Sequence, residues 1–132
     1  MNLPEFSTQF AERNNAKYTE YDDNTSVFVL RLRDARFQNV LVRIMDHEKT
    51  GARIVHVSSK VCGIEEKIDY PELLAAAVDS IHTRFIVEDG FVKTEAAFIL
   101  DRLDEEIISE MIIEVATTAD EWELKITGAD IQ

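Results

Sequence analysis

Four side chains in this sequence have the intrinsic chemistry to catalyse or to ligate: His47, His56, His82 and Cys62. A structural or catalytic metal needs imidazoles and thiolates at short, fixed spacings, as in HExxH or paired CxxC motifs. Here the three histidines fall in a turn-like, a strand-like and a helix-like stretch, and no such spacing occurs. His47 lies in "DHEK" between Asp46 and Glu48, where a weak cation contact competes with the simpler reading of a solvated turn. His56 lies in the alternating stretch "RIVHVSS" and reads as a surface or sheet-edge histidine. Cys62, in "VCG", has no motif-linked base to make it a thiolate, so it reads as a buried structural thiol before it reads as a nucleophile.

Other routes to chemistry are equally bare. A phosphate-cradling loop is built from clustered glycines, and the four here, Gly51, Gly63, Gly90 and Gly128, are scattered. GxSxG and GxGxxG are absent. Carboxylate pairs such as Asp22–Asp23 and Glu65–Glu66 sit in polar stretches, without the apolar neighbours that raise a carboxyl pKa for acid catalysis. With 26 acids in 132 residues, adjacent pairs arise by chance. The expectation is a protein with no catalytic, cofactor-binding or metal-binding residue. A small enzyme whose groups converge only in three dimensions stays as an alternative.

The net charge of −12 works against general nucleic-acid binding, because phosphate repels it. The charge is uneven. Val27 to Lys60 carries seven bases (Arg31, Arg33, Arg36, Arg43, Lys49, Arg53, Lys60) against Asp34, Asp46 and Glu48. The stretch from Asp101 onward is strongly acidic. These are read as faces that complement each other within the fold, with a local basic face for an acidic ligand as the sharper alternative. One cysteine permits no internal disulfide, and no apolar run approaches the length of a membrane span. The opening "MNLPEFSTQF" lacks the basic and apolar regions of a signal peptide, so a cytoplasmic setting is expected.

The elements that must position these residues are legible from periodicity. "NLPEFSTQFAERN" predicts a helix, with Asn2 as cap, Pro4 in the first turn and Leu3, Phe6 and Phe10 on one side. "KYTEYDDNTS" is turn-rich, with room for a short strand at Tyr18 to Tyr21. Three strands follow. Phe28, Leu30 and Leu32 oppose Val29, Arg31 and Arg33; Val40, Val42 and Ile44 oppose Leu41, Arg43 and Met45; Val55, Val57 and Val61 oppose Ile54, His56 and Ser58. Such close spacing predicts an antiparallel meander with one covered face. "DYPELLAAAVDSIHTRF" predicts a second helix capped by Asp69, with Leu74, Ala77, Val78, Ile81 and Phe85 as its apolar stripe. Asp89–Gly90 predicts a two-residue hairpin turn. The last helix is expected from near Asp104 to near Gly128. The order is α-β-β-β-α-β-β-α, a single α+β domain over residues 1–132 with helices packed on an antiparallel sheet.

Within this frame the segments "VHVSSKVCG", "YPELLAAAVDSIHTRFIVEDGFVKTEAAFIL" and "LDEEIISEMIIEVATTADEWE" resemble the type III secretion chaperone-like fold, and in particular its YbjN-like branch. The resemblance covers roughly Val27 to Ile126. It implies a small, acidic, non-enzymatic protein, often a homodimer, that binds other polypeptides.

The last helix carries surplus apolar surface. At 100° per residue, Ile107, Ile108, Met111, Ile112, Val115, Ala116, Ala119, Trp122 and Ile126 cover half its circumference, while a sheet-covering stripe needs little more than about 100°. Most of this must be core, with Trp122 well inside it. Ile113 and Leu124 fall instead among Ser109, Glu110, Asp120 and Glu121, as a possible contact row for a second subunit or a client. The small residues Ala76 and Ala77 in "LLAAAVDSI" offer another surface where a backbone could approach. The expectation is a chaperone-like or regulatory protein-binding module, a homodimer with an unknown protein partner and no membrane or nucleic-acid partner. The alternative is an acidic inhibitor or immunity-type protein that neutralises a basic partner.

Overall fold

The computed structural model describes residues 1–128. The chain runs α1 (Leu3–Asn14), β1 (Lys17–Asp22), β2 (Thr25–Arg31), β3 (Phe37–Asp46), β4 (Arg53–Gly63), α2 (Tyr70–Ala76), β5 (Arg84–Glu88), β6 (Phe91–Ile99) and α3 (Glu105–Thr127), with short 3-10 turns at Arg33–Ala35, Ala77–Asp79 and Leu100–Arg102. The six strands form one antiparallel sheet in the order β1-β2-β3-β4-β6-β5. The α+β class and the antiparallel meander are as the hydrophobic alternation requires. The short segment at Tyr18 to Tyr21 is a full strand, so the sheet has a sixth member that the eight-element order omitted.

The helix ends follow their local chemistry. The Asn2 side chain accepts a hydrogen bond from the Glu5 amide, Asp69 accepts from Glu72, and Asp104 accepts from Ile107. Gly128 closes α3 in the left-handed conformation with φ 70°. At the β5–β6 hairpin Asp89 and Gly90 both have positive φ, 55° and 81°, as a type I′ turn demands.

One face of the sheet is covered. Phe28, Leu30, Val40, Val42, Val55 and Val57 point into it and meet Leu3, Phe6 and Phe10 of α1 and Ile108 to Ala116 of α3. A second, smaller core lies further along α3, where Ala119 and Trp122 pack with Val61, Cys62, Leu73 and Val92. A bulge between Lys60 and Cys62 accommodates this change, since Val61 and Cys62 are both buried. α3 therefore spans both cores, which accounts for the width of its apolar face. Trp122 is 8% exposed and meets Phe85 edge-on, with ring centroids 5.9 Å apart.

Two expectations change. Leu32 and Arg33 lie beyond the end of β2, which stops at Arg31. The second helix is far shorter than its apolar periodicity suggests. It ends at Ala76, continues as a 3-10 turn to Asp79, and Phe85 belongs to β5. Its buried anchor is Leu73, whereas Leu74, Val78 and Ile81 of the expected core stripe are 63%, 84% and 83% exposed. The cause is a competing set of hydrogen bonds. The Glu114 carboxylate accepts the amides of Ile81, His82 and Thr83 at 2.9, 2.7 and 2.8 Å and the Thr83 hydroxyl at 2.6 Å. Those amides would otherwise bond back along a continuing helix.

Candidate functional site

The histidines and the cysteine are not brought together. His47 is in its turn, with Nδ1 near the Thr50 amide and hydroxyl. The His82 imidazole reaches Glu110 at 3.9 Å on the side of α3. Cys62 is fully buried; burial first, and then the carboxylates of Glu66, Glu65 and Glu123, push its thiol up to about 11. It is a protonated core side chain at neutral pH.

His56 departs from its expectation. It sits on β4, a central strand with partners on both sides, rather than at a sheet edge. On the uncovered face its Nε2 meets Glu95 Oε2 at 2.5 Å, and the other Glu95 oxygen accepts from Arg84 Nε at 2.5 Å. Glu95 is 6% exposed. The His56 hydrogen bond, with help from Arg84, outweighs the burial that would raise its pKa and holds the carboxyl below its ordinary value. The three residues come from β4, β5 and β6, and no spacing in the sequence could have announced them. No hydroxyl or thiol hydrogen bonds to His56 among the described residues, so this network holds strands together without presenting a paired nucleophile.

Part of the basic segment is tied into the structure. Arg36 makes a bidentate contact with Asp120 of α3, at 2.9 Å from Nε and 2.7 Å from Nη2, and Asp120 is 5% exposed. Arg31 lies over the Phe37 ring at 5.4 Å and Lys60 over the Phe91 ring at 4.2 Å. Beside the Arg36–Asp120 pair, the β2–β3 connection and the outer side of α3 enclose a cleft of about 700 Å³.

Three surfaces bear on the residues expected to meet a partner, apart from the second open sheet edge at β1, where Tyr21 is 68% exposed. The first is the segment running from α2 through its 3-10 turn, with Leu74, Val78 and, just beyond the turn, Ile81 exposed and Ala76 and Ala77 half-buried between them. The second is β5, an open sheet edge whose Val87 is 59% exposed. The third is the α3 side that carries Ile113 and Leu124, 39% and 41% exposed, of which Leu124 lines the cleft and Ile113 does not. Val78 and Ile81, 84% and 83% exposed, were missed as surface because helical periodicity assigned them to the core.

No family model and no curated protein sequence matches the chain. Solved structures do. A chain of the ExsC–ExsE complex superposes with a TM-score of 0.63 at 14% identity, covering 96% of both chains. A chain of the HopA1–SchA chaperone–effector complex gives 0.61 at 9% identity, covering 92% of each. A chain of the heterodimeric ExoU–SpcU complex, from the type III secretion system of Pseudomonas aeruginosa, gives 0.61 at 11% identity over 93% of this chain and 98% of that one. The fold is type III secretion chaperone-like.

Proposed function

We propose that this chain is a single-domain, chaperone-like protein-binding module without enzymatic activity, which pairs with a second copy of itself and holds or regulates a polypeptide partner in the cytoplasm. The observation that carries this reading is the unpartnered apolar face of α2 and its 3-10 extension. Leu74 on α2, Val78 on the 3-10 turn and Ile81 just beyond it are 63% to 84% exposed on a chain of net charge −12. Ala77 beside them is half-buried and small enough for a close approach, whereas Ala76 packs against the second core, and β5 adds an open sheet edge on which Val87 is exposed. A two-fold contact across this face would be isologous and would need about 800 Å² from each copy. The fold neighbours support the protein-binding part, because each was solved in complex with a protein partner. The quoted sequence segments support the YbjN-like branch. Ile113 and Leu124 are the proposed partner contacts on α3.

Light scattering at micromolar concentration is expected to give twice the 15.1 kDa chain mass. The double variant Val78→Glu, Ile81→Glu should return a folded monomer, since it places charge where an apolar contact forms. A wild-type monomer at high concentration, or a double variant that stays dimeric, overturns the α2 pairing.

A further inference from the structure

We propose that the cleft between the β2–β3 connection and α3 is a docking site for an acidic, leucine-bearing segment of a polypeptide partner. This deepens the protein-binding reading and rests on it. The cleft is lined by four cations, Arg31, Arg33, Arg36 and Lys125, against two carboxylates, Asp120 and Glu121. On a molecule of net charge −12 it is a local inversion of sign. Arg36 is spent on the buried Asp120, with the exposed Asp34 of the same turn 3.6 Å from its Nη1, which leaves a neutralised floor. Arg31 and Arg33 have no carboxylate within 4.0 Å among the described residues; Arg31 lies over the Phe37 ring at 5.4 Å and Lys125 over the Trp122 ring at 4.5 Å, contacts that leave their charges unneutralised. Their charge is therefore offered outward. Between them lie two apolar side chains, the half-buried Leu32 and the exposed Leu124. Carboxylates flanking an aliphatic side chain are the complement of cations flanking Leu32 and Leu124.

The backbone that presents these groups is itself unusual. Asp34 and Ala35 are consecutive non-glycine residues in the left-handed region, both with φ 59°. Residues of this kind hold such a conformation only when the surroundings impose it. Here the Leu32 amide bonds to the Arg36 carbonyl at 2.7 Å, and the Arg36 side chain ties the turn to α3. The turn is thereby locked so that Arg33 and Leu32 face Leu124 and Lys125 across the cleft.

The probe is a fluorescein-labelled, end-blocked peptide of about ten residues in which Asp and Glu surround two leucines, compared with its Asn/Gln counterpart. Bulk electrostatics oppose the acidic peptide, so its binding reports the local field. Saturable binding is expected, at least tenfold weaker for the neutral peptide and weakened by salt. Trp122 emission should change as Lys125 is engaged. Arg31→Gln with Arg33→Gln, and separately Leu124→Glu, should each weaken binding at least tenfold with an unchanged circular dichroism spectrum. Absence of binding, equal affinity for the two peptides, or indifference to both variants overturns the site. Wild-type dimerisation is measured alongside; a dimer that ignores the peptide sinks the cleft and leaves the protein-binding reading standing, while a monomer that binds it does the reverse for the α2 pairing.

Discussion

Trp122 and Glu95 show two ways in which one residue holds this protein together. Trp122 fills the second core against Phe85, Leu73 and Cys62, and its burial follows from its place well inside the apolar face of the last helix. Trp122→Ala is expected to cost about 3–5 kcal/mol, measured by urea denaturation, and the native emission maximum should be that of a shielded indole. A fully water-exposed maximum contradicts it. Glu95 could not be placed so easily from sequence. In "KTEAAF" it alternates like any outward strand residue, and its partners His56 and Arg84 are 39 and 11 residues away. Only the pairing of β4 and β5 with β6 reveals a buried carboxylate. Because its folded pKa is depressed, its contribution to stability is present above the unfolded glutamate value near about 4.3 and is lost as pH falls through the folded value. Glu95→Gln should therefore lose less stability than wild type between pH 5.5 and pH 3, read as the shift of the urea midpoint. Equal losses would remove Glu95 from the acid response.

At the scale of elements, strands and end helices were legible because alternation, caps and turn residues agree there. Asn2, Asp69, Asp104, Asp89–Gly90 and Gly128 all act locally, within a few residues of their partners. The second helix was misread because its end is set from a distance. Helical spacing of Leu74, Val78 and Ile81 is a local signal, and the Glu114 carboxylate, 31 to 33 residues further on, overrides it. The same misreading hid the exposure of Leu74, Val78 and Ile81, so the candidate surface around α2 was visible only through its alanines. Burial pushes the Glu114 pKa up, but the Thr83 hydroxyl and the amides of Ile81, His82 and Thr83 outweigh it and hold the carboxyl down. Glu114→Ala leaves four donors without this acceptor and should cost about 2–3 kcal/mol. Hydrogen exchange at the amides of Ile81, His82 and Thr83 should accelerate more than at the β4–β6 ladder. Uniform acceleration would mean that Glu114 anchors no segment of its own.

For the whole molecule, the uneven charge resolves into two different things. Part of the basic segment is paired or stacked within the fold, as with Arg36 on Asp120 and Lys60 over Phe91, while Arg43, Lys49 and Arg53 are exposed and Arg31 and Arg33 line the cleft beside α3. Self-association through an apolar α2 face is expected to persist from 0.05 to 1 M salt, because hydrophobic burial is not screened. Dissociation on raising salt, followed by light scattering, would instead favour charge-steered pairing and the acidic-inhibitor reading. The strand order carries a further consequence, in time rather than in affinity. Every neighbouring pair of strands in the sheet is joined by a short connection except β4 and β6, where α2 and β5 are inserted in the chain between the paired residues Gly63 and Phe91. Two local hairpin systems, β1 to β4 and β5 to β6, can form quickly on their own. Joining them requires closing the one long loop and landing the bulge at Lys60 and Cys62 in register, so this seam is where the chain's search is slowest. Until it closes, two sheet edges that are central in the native state stand open to other chains. The protein is then most exposed to mispairing when it is newly made, before any face is available for a partner.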